Sequence, residues 1–118
     1  MQQCLTLNYN QEQSVRSFLP PNGAVEGIAD FYNIFSDSTR LKILSALAVT
    51  ELCVYDMCAL LGLNQTTISH QLKLLRDARI VADRRVGKII FYRIINPYVN
   101  DVMALGVDNL NTSNGKFC

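Results

Sequence analysis

The stretch LNQTTISHQLKLLRDARIVADRRVGKIIFYR, residues 63–93, decides the fold. Its first half places Ile68, Leu72 and Leu75 on one side of a helix over about residues 65–78. The other side carries Gln65, Thr66, Thr67, Ser69, His70 and Lys73. These side chains are short or hydrogen-bonding, where a merely solvated helix face more often carries Glu and Lys. The second half is rich in Ile, Val, Phe and Tyr over residues 80–85 and 88–95, separated by Val86-Gly87, and predicts a short antiparallel hairpin with a basic tip.

Upstream, Ile28, Phe31, Tyr32 and Phe35 recur at helical spacing and predict an amphipathic helix that starts at Ala24 and stops before Ser36-Asp37-Ser38. Asp37 suits the cap of a next helix, reaching about Ala48 and bearing Leu41, Ile43, Leu44 and Leu47. A third helix over residues 54–61 offers Val54, Met57, Cys58 and Leu61 to a core, and Gly62 stops it. Leu63-Asn64-Gln65 then links tightly into the helix first described. Downstream, Asn96-Pro97 reads as a cap followed by a proline at the first helical position. The apolar stripe of Val99, Val102, Met103, Gly106, Val107 and Leu110 exceeds what so small a domain needs for itself, and a dimer interface is its natural use.

Residues 1–23 show no sustained helical or alternating pattern and end in LPPNG, so they are expected to form a flexible arm. Residues 24–110 form the expected domain and residues 111–118 a tail. The predicted chain is mainly α with a two-stranded β-wing, in the order α-α-α-α-β-β-α. That order is a dimeric winged helix-turn-helix.

With 118 residues, 49% of them hydrophobic and 18% charged, the chain has room for one domain and its core. No run approaches the roughly 18 to 20 apolar residues of a membrane span, and MQQCLTLNYNQEQ lacks the basic start and apolar segment of a secretory signal. The protein is expected to be soluble and cytoplasmic, with no membrane partner. Net charge is only +1, yet between positions 64 and 93 seven basic residues face two acidic ones. That concentration suits a localised anion-binding surface. Enzymatic chemistry has little to work with: there is one histidine, no phosphate-cradling glycine loop and no Cys-His pair at local spacing.

Base edges in the major groove are read by hydrogen bonds, which Gln65, Thr66, Ser69 and His70 can make, while Lys73, Arg84, Arg85 and Lys88 are suited to phosphates. Double-stranded DNA is the expected partner, with no cofactor needed for binding it. A lone histidine is equally at home as an ordinary surface residue, and a degenerate winged helix acting as a protein-interaction module is the competing reading. The concentration of cations counts against that module.

The stretches FSDSTRLKILSAL, ELCVYDMCALLGLNQTTISHQLKLLRDARIV and DRRVGKIIFYRI resemble the ArsR/SmtB family of metal-sensing transcriptional repressors, over about residues 24–110. The resemblance implies a homodimer built on the first and last helices. It implies binding to a two-fold symmetric operator when unliganded, and release when an inducer binds. Its recognition helix maps onto residues 65–75, with Thr66, Thr67, Ser69 and His70 as base and phosphate readers, and its wing onto residues 84–88.

The arsenic-sensing branch resembles ELCVCDLC where this chain reads ELCVYDMC, so Cys53 and Cys58 match and Tyr55 replaces the middle thiol. Thiophilic ions, arsenite and antimonite or cadmium and lead, are the implied inducers. Cys4 on the arm would complete a thiolate set in the manner of the cadmium- and lead-sensing branch, and Cys118 is a second candidate. The zinc-sensing site of the last helix is absent, because Asn96, Tyr98, Asn109 and Thr112 stand at its positions. On a regular helix Cys53 and Cys58 lie about 140° apart and ~7.5 Å along the axis, so joint coordination requires Cys53 to sit outside the helix or the first turn to unwind. Cys58 alone reads equally well as a small core hydrophobe. A dithiol redox or persulfide sensor would use the same sulfurs.

Overall fold

The computed structural model describes residues 4–114, in two units that divide between Asn33 and Ile34.

In the first unit, α1 spans Tyr9–Phe18 and α2 spans Asn22–Asn33. The first of these corrects the expectation of an irregular arm. Asn8 Oδ1 accepts from the Gln11 amide at 2.8 Å and Gln11 Oε1 accepts from the Asn8 amide at 3.1 Å, a reciprocal capping box. Arg16 pairs with Glu12 one turn back at 3.5 Å. This helix is held by its cap and polar pairs and buries no residue, so it leaves no apolar stripe in the sequence. Leu19 ends it in an extended conformation, as a residue before proline must. α2 starts two residues earlier than predicted. Within it Phe31 and Tyr32 meet edge to face at 5.5 Å. Phe35 lies past its end, in the 3-10 turn Ile34–Ser36 that opens the second unit.

The second unit carries α3 (Ser38–Leu47), β1 (Leu52–Cys53), α4 (Val54–Leu61), α5 (Gln65–Asp77), β2 (Val81–Val86), β3 (Ile89–Ile94) and α6 (Val99–Asn114). Asp37 caps α3 by accepting from the Arg40 amide at 3.0 Å. Arg40 donates Nε–H to the Ile34 carbonyl and Nη1–H to Gln71 Oε1, at 3.0 and 3.2 Å, which ties α3 to α5. Gly62 stops α4 at φ 65°, a conformation that favours glycine, and Asn64 caps α5 by accepting from the Thr67 amide at 2.8 Å.

The core is entirely aliphatic apart from Met57. Ile43, Leu44 and Leu47 of α3 meet Met57 of α4, Ile68, Leu72 and Leu75 of α5, and Ile80, Val81 and Val99, all buried. Leu41, Val54, Cys58 and Leu61, expected in the core, are only half-buried.

The predicted two-stranded wing is β2–β3, and β1 pairs with β3 to extend it into a three-stranded sheet in the order β1-β3-β2, antiparallel throughout. The extra strand is two residues long, too short for its alternation to register in a sequence. Val86 pairs with Ile89 across the turn Gly87-Lys88, and Gly87 takes φ +64° at the first turn position, as a type II′ turn uses. α6 starts at Val99, later than Pro97, because Asn96 Oδ1 accepts from the Tyr98 amide at 2.8 Å and forms a turn ahead of the helix. No helix among the described residues is long and apolar enough to cross a membrane.

Candidate nucleic-acid interface and thiol site

Burial of Ile68, Leu72 and Leu75 fixes which edge of α5 faces outward. At 100° per residue, Gln65, Thr66, Ser69, His70 and Lys73 fall within an arc of about 140°, and all five are exposed. Thr67 lies off that edge and is half-buried, its amide engaged by the Asn64 cap. Lys73 reaches Asp77 only at 3.9 Å, with both side chains mostly exposed. Such a pair is weak and leaves the ammonium available to another anion.

The wing separates the three cations predicted at its tip. Arg85 and Lys88 are exposed and have no carboxylate partner among the described residues. Arg84 is committed elsewhere. It donates Nε–H to Glu51 Oε1 at 2.8 Å and Nη2–H to Glu51 Oε2 at 3.3 Å, and its guanidinium carbon stands 5.2 Å from the Phe91 ring centroid. The hydrogen bond from Arg84 holds the Glu51 carboxyl below the usual carboxylate range, and the same bond raises the Arg84 guanidinium further. Glu51 is the residue the sequence reading missed as a partner. Its 33-residue separation from Arg84 leaves no local signal. Arg76 is likewise paired, with Asp83 at 3.1 Å.

Cys53 sits where the requirement for joint coordination needs it, outside the helix. It is the cap residue of α4, in extended conformation at φ −88° and ψ 165°, and pairs with Phe91 in the sheet. Cys53 lines a groove of about 560 Å³ that is also bordered by Tyr55, Asp56, Gln65, Lys88 and Phe91. One depression thus joins the first residue of α5, the wing turn and Cys53. Cys58 is half-buried one turn further along α4 and does not line this groove.

In the first unit, interaction with the Glu12 carboxylate raises the pKa of the exposed Cys4 thiol, and desolvation acts in the same direction. Cys118 lies outside the described residues. Among the described residues no three Cys, His, Asp or Glu side chains cluster as a metal site.

A family model described as bacterial regulatory protein, arsR family, matches residues 37–83, from the α3 cap into β2. A CadC cadmium resistance transcriptional regulatory protein of Listeria innocua is 37% identical over 82 residues, 69% of each chain. The chain belongs to the arsR family. An arsenical resistance operon repressor of Staphylococcus aureus is 33% identical over 74% of this chain and 83% of its own. A Synechocystis relative, described as a transcriptional repressor SmtB homolog, is 37% identical over 73% of this chain and 65% of its own length, just under two thirds.

Solved structures agree. The AntR antimony-specific transcriptional repressor superposes with a TM-score of 0.76 at 31% identity, over 83% of this chain and 89% of that one. A homodimeric winged helix-turn-helix DNA-binding domain from Mycobacterium bovis gives 0.70 at 28% identity, over 81% and 90%. The family expected from residues 24–110 is the family found. As an arsR-family member the chain is a DNA-binding transcriptional repressor and not an enzyme.

Proposed function

We propose that a homodimer of this chain lays the Gln65–Ser69–His70 edge of α5 into the major groove of an operator, sets Arg85 and Lys88 on the flanking phosphates, and is released when a thiophilic ion binds Cys53 and Cys58. The observation that carries the reading is the shared groove. Gln65, Lys88 and Cys53 border it together, so a shift of Cys53 on ligand binding bears on both parts of the proposed DNA surface. Soft ions such as arsenite, antimonite, cadmium and lead prefer thiolates, and the extended cap position leaves Cys53 able to swing without breaking a helical hydrogen bond of its own side chain. Exposed Val107 and Leu110 on α6 supply apolar surface for a second copy.

Release follows if the ion prefers a geometry of the β1–α4 junction that does not fit DNA, because a ligand shifts an equilibrium only through differential affinity for its two states. Any third thiolate from Cys4 requires loss of its S–H proton, which the neighbouring Glu12 carboxylate disfavours.

Fluorescence anisotropy on a duplex from the chain's own upstream promoter tests the reading. Salt-sensitive binding and release by at least one of arsenite, antimonite, cadmium or lead are expected. Cys53→Ser should abolish release and preserve binding, while Cys4→Ser and Cys118→Ser separate the third-ligand alternatives. Release by peroxide or persulfide alone would replace the metal reading with the dithiol one. Absence of salt-sensitive, sequence-specific binding would favour a protein-interaction module.

A further inference from the structure

We propose that Glu51 and Arg84 are positioning residues that transmit a disturbance at Cys53 into the wing. The proposal rests on the reading of Cys53 as the sensing thiol, but it can be tested without an inducing ion.

The register supplies the argument. Cys53 of β1 lies opposite Phe91 of β3, and Phe91 lies opposite Arg84 of β2. Residues directly opposite one another in antiparallel strands share a face, so the three side chains stand in a row across the sheet. Arg84 covers Phe91 with its guanidinium at 5.2 Å and continues to the Glu51 carboxylate, held at 2.8 and 3.3 Å. Glu51 is two residues before Cys53 in the chain. The contacts therefore close a ring: Glu51, Cys53, Phe91, Arg84 and back to Glu51.

β1 contributes only two residues to the sheet, so little backbone pairing holds this edge. The bidentate pair is the side-chain link that joins the segment before β1 directly to β2, bypassing β3. Arg84 also lies three residues before Gly87, close to the turn that carries Lys88. Drawing Cys53 away from Phe91 displaces Glu51 with it, and Glu51 pulls on the strand from which Arg85 and Lys88 project. Without the carboxylate, β1 can move and leave the wing where it stands.

The test uses the full chain with Cys4, Cys58 and Cys118 replaced by Ser, and N-ethylmaleimide as the probe. The Cys53 thiolate adds across the maleimide double bond, the sulfur–carbon bond replaces the alkene π bond, and a proton from water completes the neighbouring carbon. Hydrogen exchange of the amides at residues 85–89 reads the wing. With Glu51 present, modification should change that exchange by about fivefold or more, an opening of the kind local exchange reports. In the Glu51→Gln variant, modified to the same extent by mass, the change should stay below about twofold. The swapped pair Glu51→Arg with Arg84→Glu should restore the response, which a general loosening of the wing would not do. An equal response in Glu51→Gln, no response in either protein, or failure of the swap to restore it would overturn the proposal. Failure of every ion and oxidant to release the unmodified protein from DNA would overturn the proposed sensing function and leave this result standing.

Discussion

Replacing the three wing cations one at a time separates a phosphate contact from an internal ion pair. Each phosphate neutralised contributes about −0.9 to the slope of log affinity against log salt for duplex DNA. A homodimer presents each cation twice, so loss of Lys88 or of Arg85 should make the slope shallower by about 1.8. Between about 50 and 200 mM salt that difference amounts to a roughly 12-fold smaller loss of affinity than in the parent protein. Arg84 behaves differently because Glu51 already neutralises it at 2.8 Å. Arg84→Gln should lower affinity by loosening the wing and leave the slope within about 0.5 of the parent value, well under one counterion per protomer. Anisotropy titrations of Arg84→Gln, Arg85→Gln and Lys88→Gln on one promoter duplex across a series of salt concentrations give the comparison. A slope reduction for Arg84→Gln as large as that for Lys88→Gln refutes the assignment, since it would mean that Arg84 leaves Glu51 for phosphate on binding.

Other expectations follow from the caps, the core and the titrating groups. Asn64→Ala removes the cap of α5 at a 2.8 Å bond and should cost about 1 kcal/mol, whereas Ile68→Ala, fully buried behind the exposed edge of α5, should cost about 2–5 kcal/mol. Urea titrations at fixed protein concentration measure both, and equal costs would contradict the packing described. Because Arg84 depresses the Glu51 carboxyl in the folded state, its stabilisation is complete above the unfolded value of about 4.3 and is lost as pH falls through the lower folded value. Wing amide protection factors, which divide out the intrinsic pH dependence of exchange, should fall over that acid window in the parent protein and stay level in Glu51→Gln. The Glu12 carboxylate raises the Cys4 thiol, so its alkylation by iodoacetamide, in a chain with the other cysteines replaced, should rise at higher pH than that of an unstructured cysteine. Glu12→Gln should bring the profile back down; an unchanged profile would mean the contact does not persist in solution.

The helix-turn-helix was legible because its signals are local. Asp37, Gly62 and Asn64 punctuate the chain within a few residues of the groups they satisfy, and Ile68, Leu72 and Leu75 repeat at a period only a one-sided helix produces. The edge of α5 follows once its buried side is known. α1 was missed for the converse reason: its reciprocal cap Asn8–Gln11 and the Glu12–Arg16 pair stabilise a helix with no buried side, so a search for apolar periodicity passes over it.

The residues alone determined the order of the main elements, the outward edge from Gln65 to Lys73, the cationic hairpin and the cysteine pair, since each is written in spacing or composition along the chain. Tertiary structure alone decided that Cys53 lies in a strand facing a groove shared with Gln65 and Lys88, and that Arg84 pairs with Glu51 while Arg85 and Lys88 have no carboxylate partner among the described residues. Those arrangements depend on strand register and on contacts between positions tens of residues apart, which no periodicity encodes, because a local pattern fixes which side of an element is buried but not what another element brings against it.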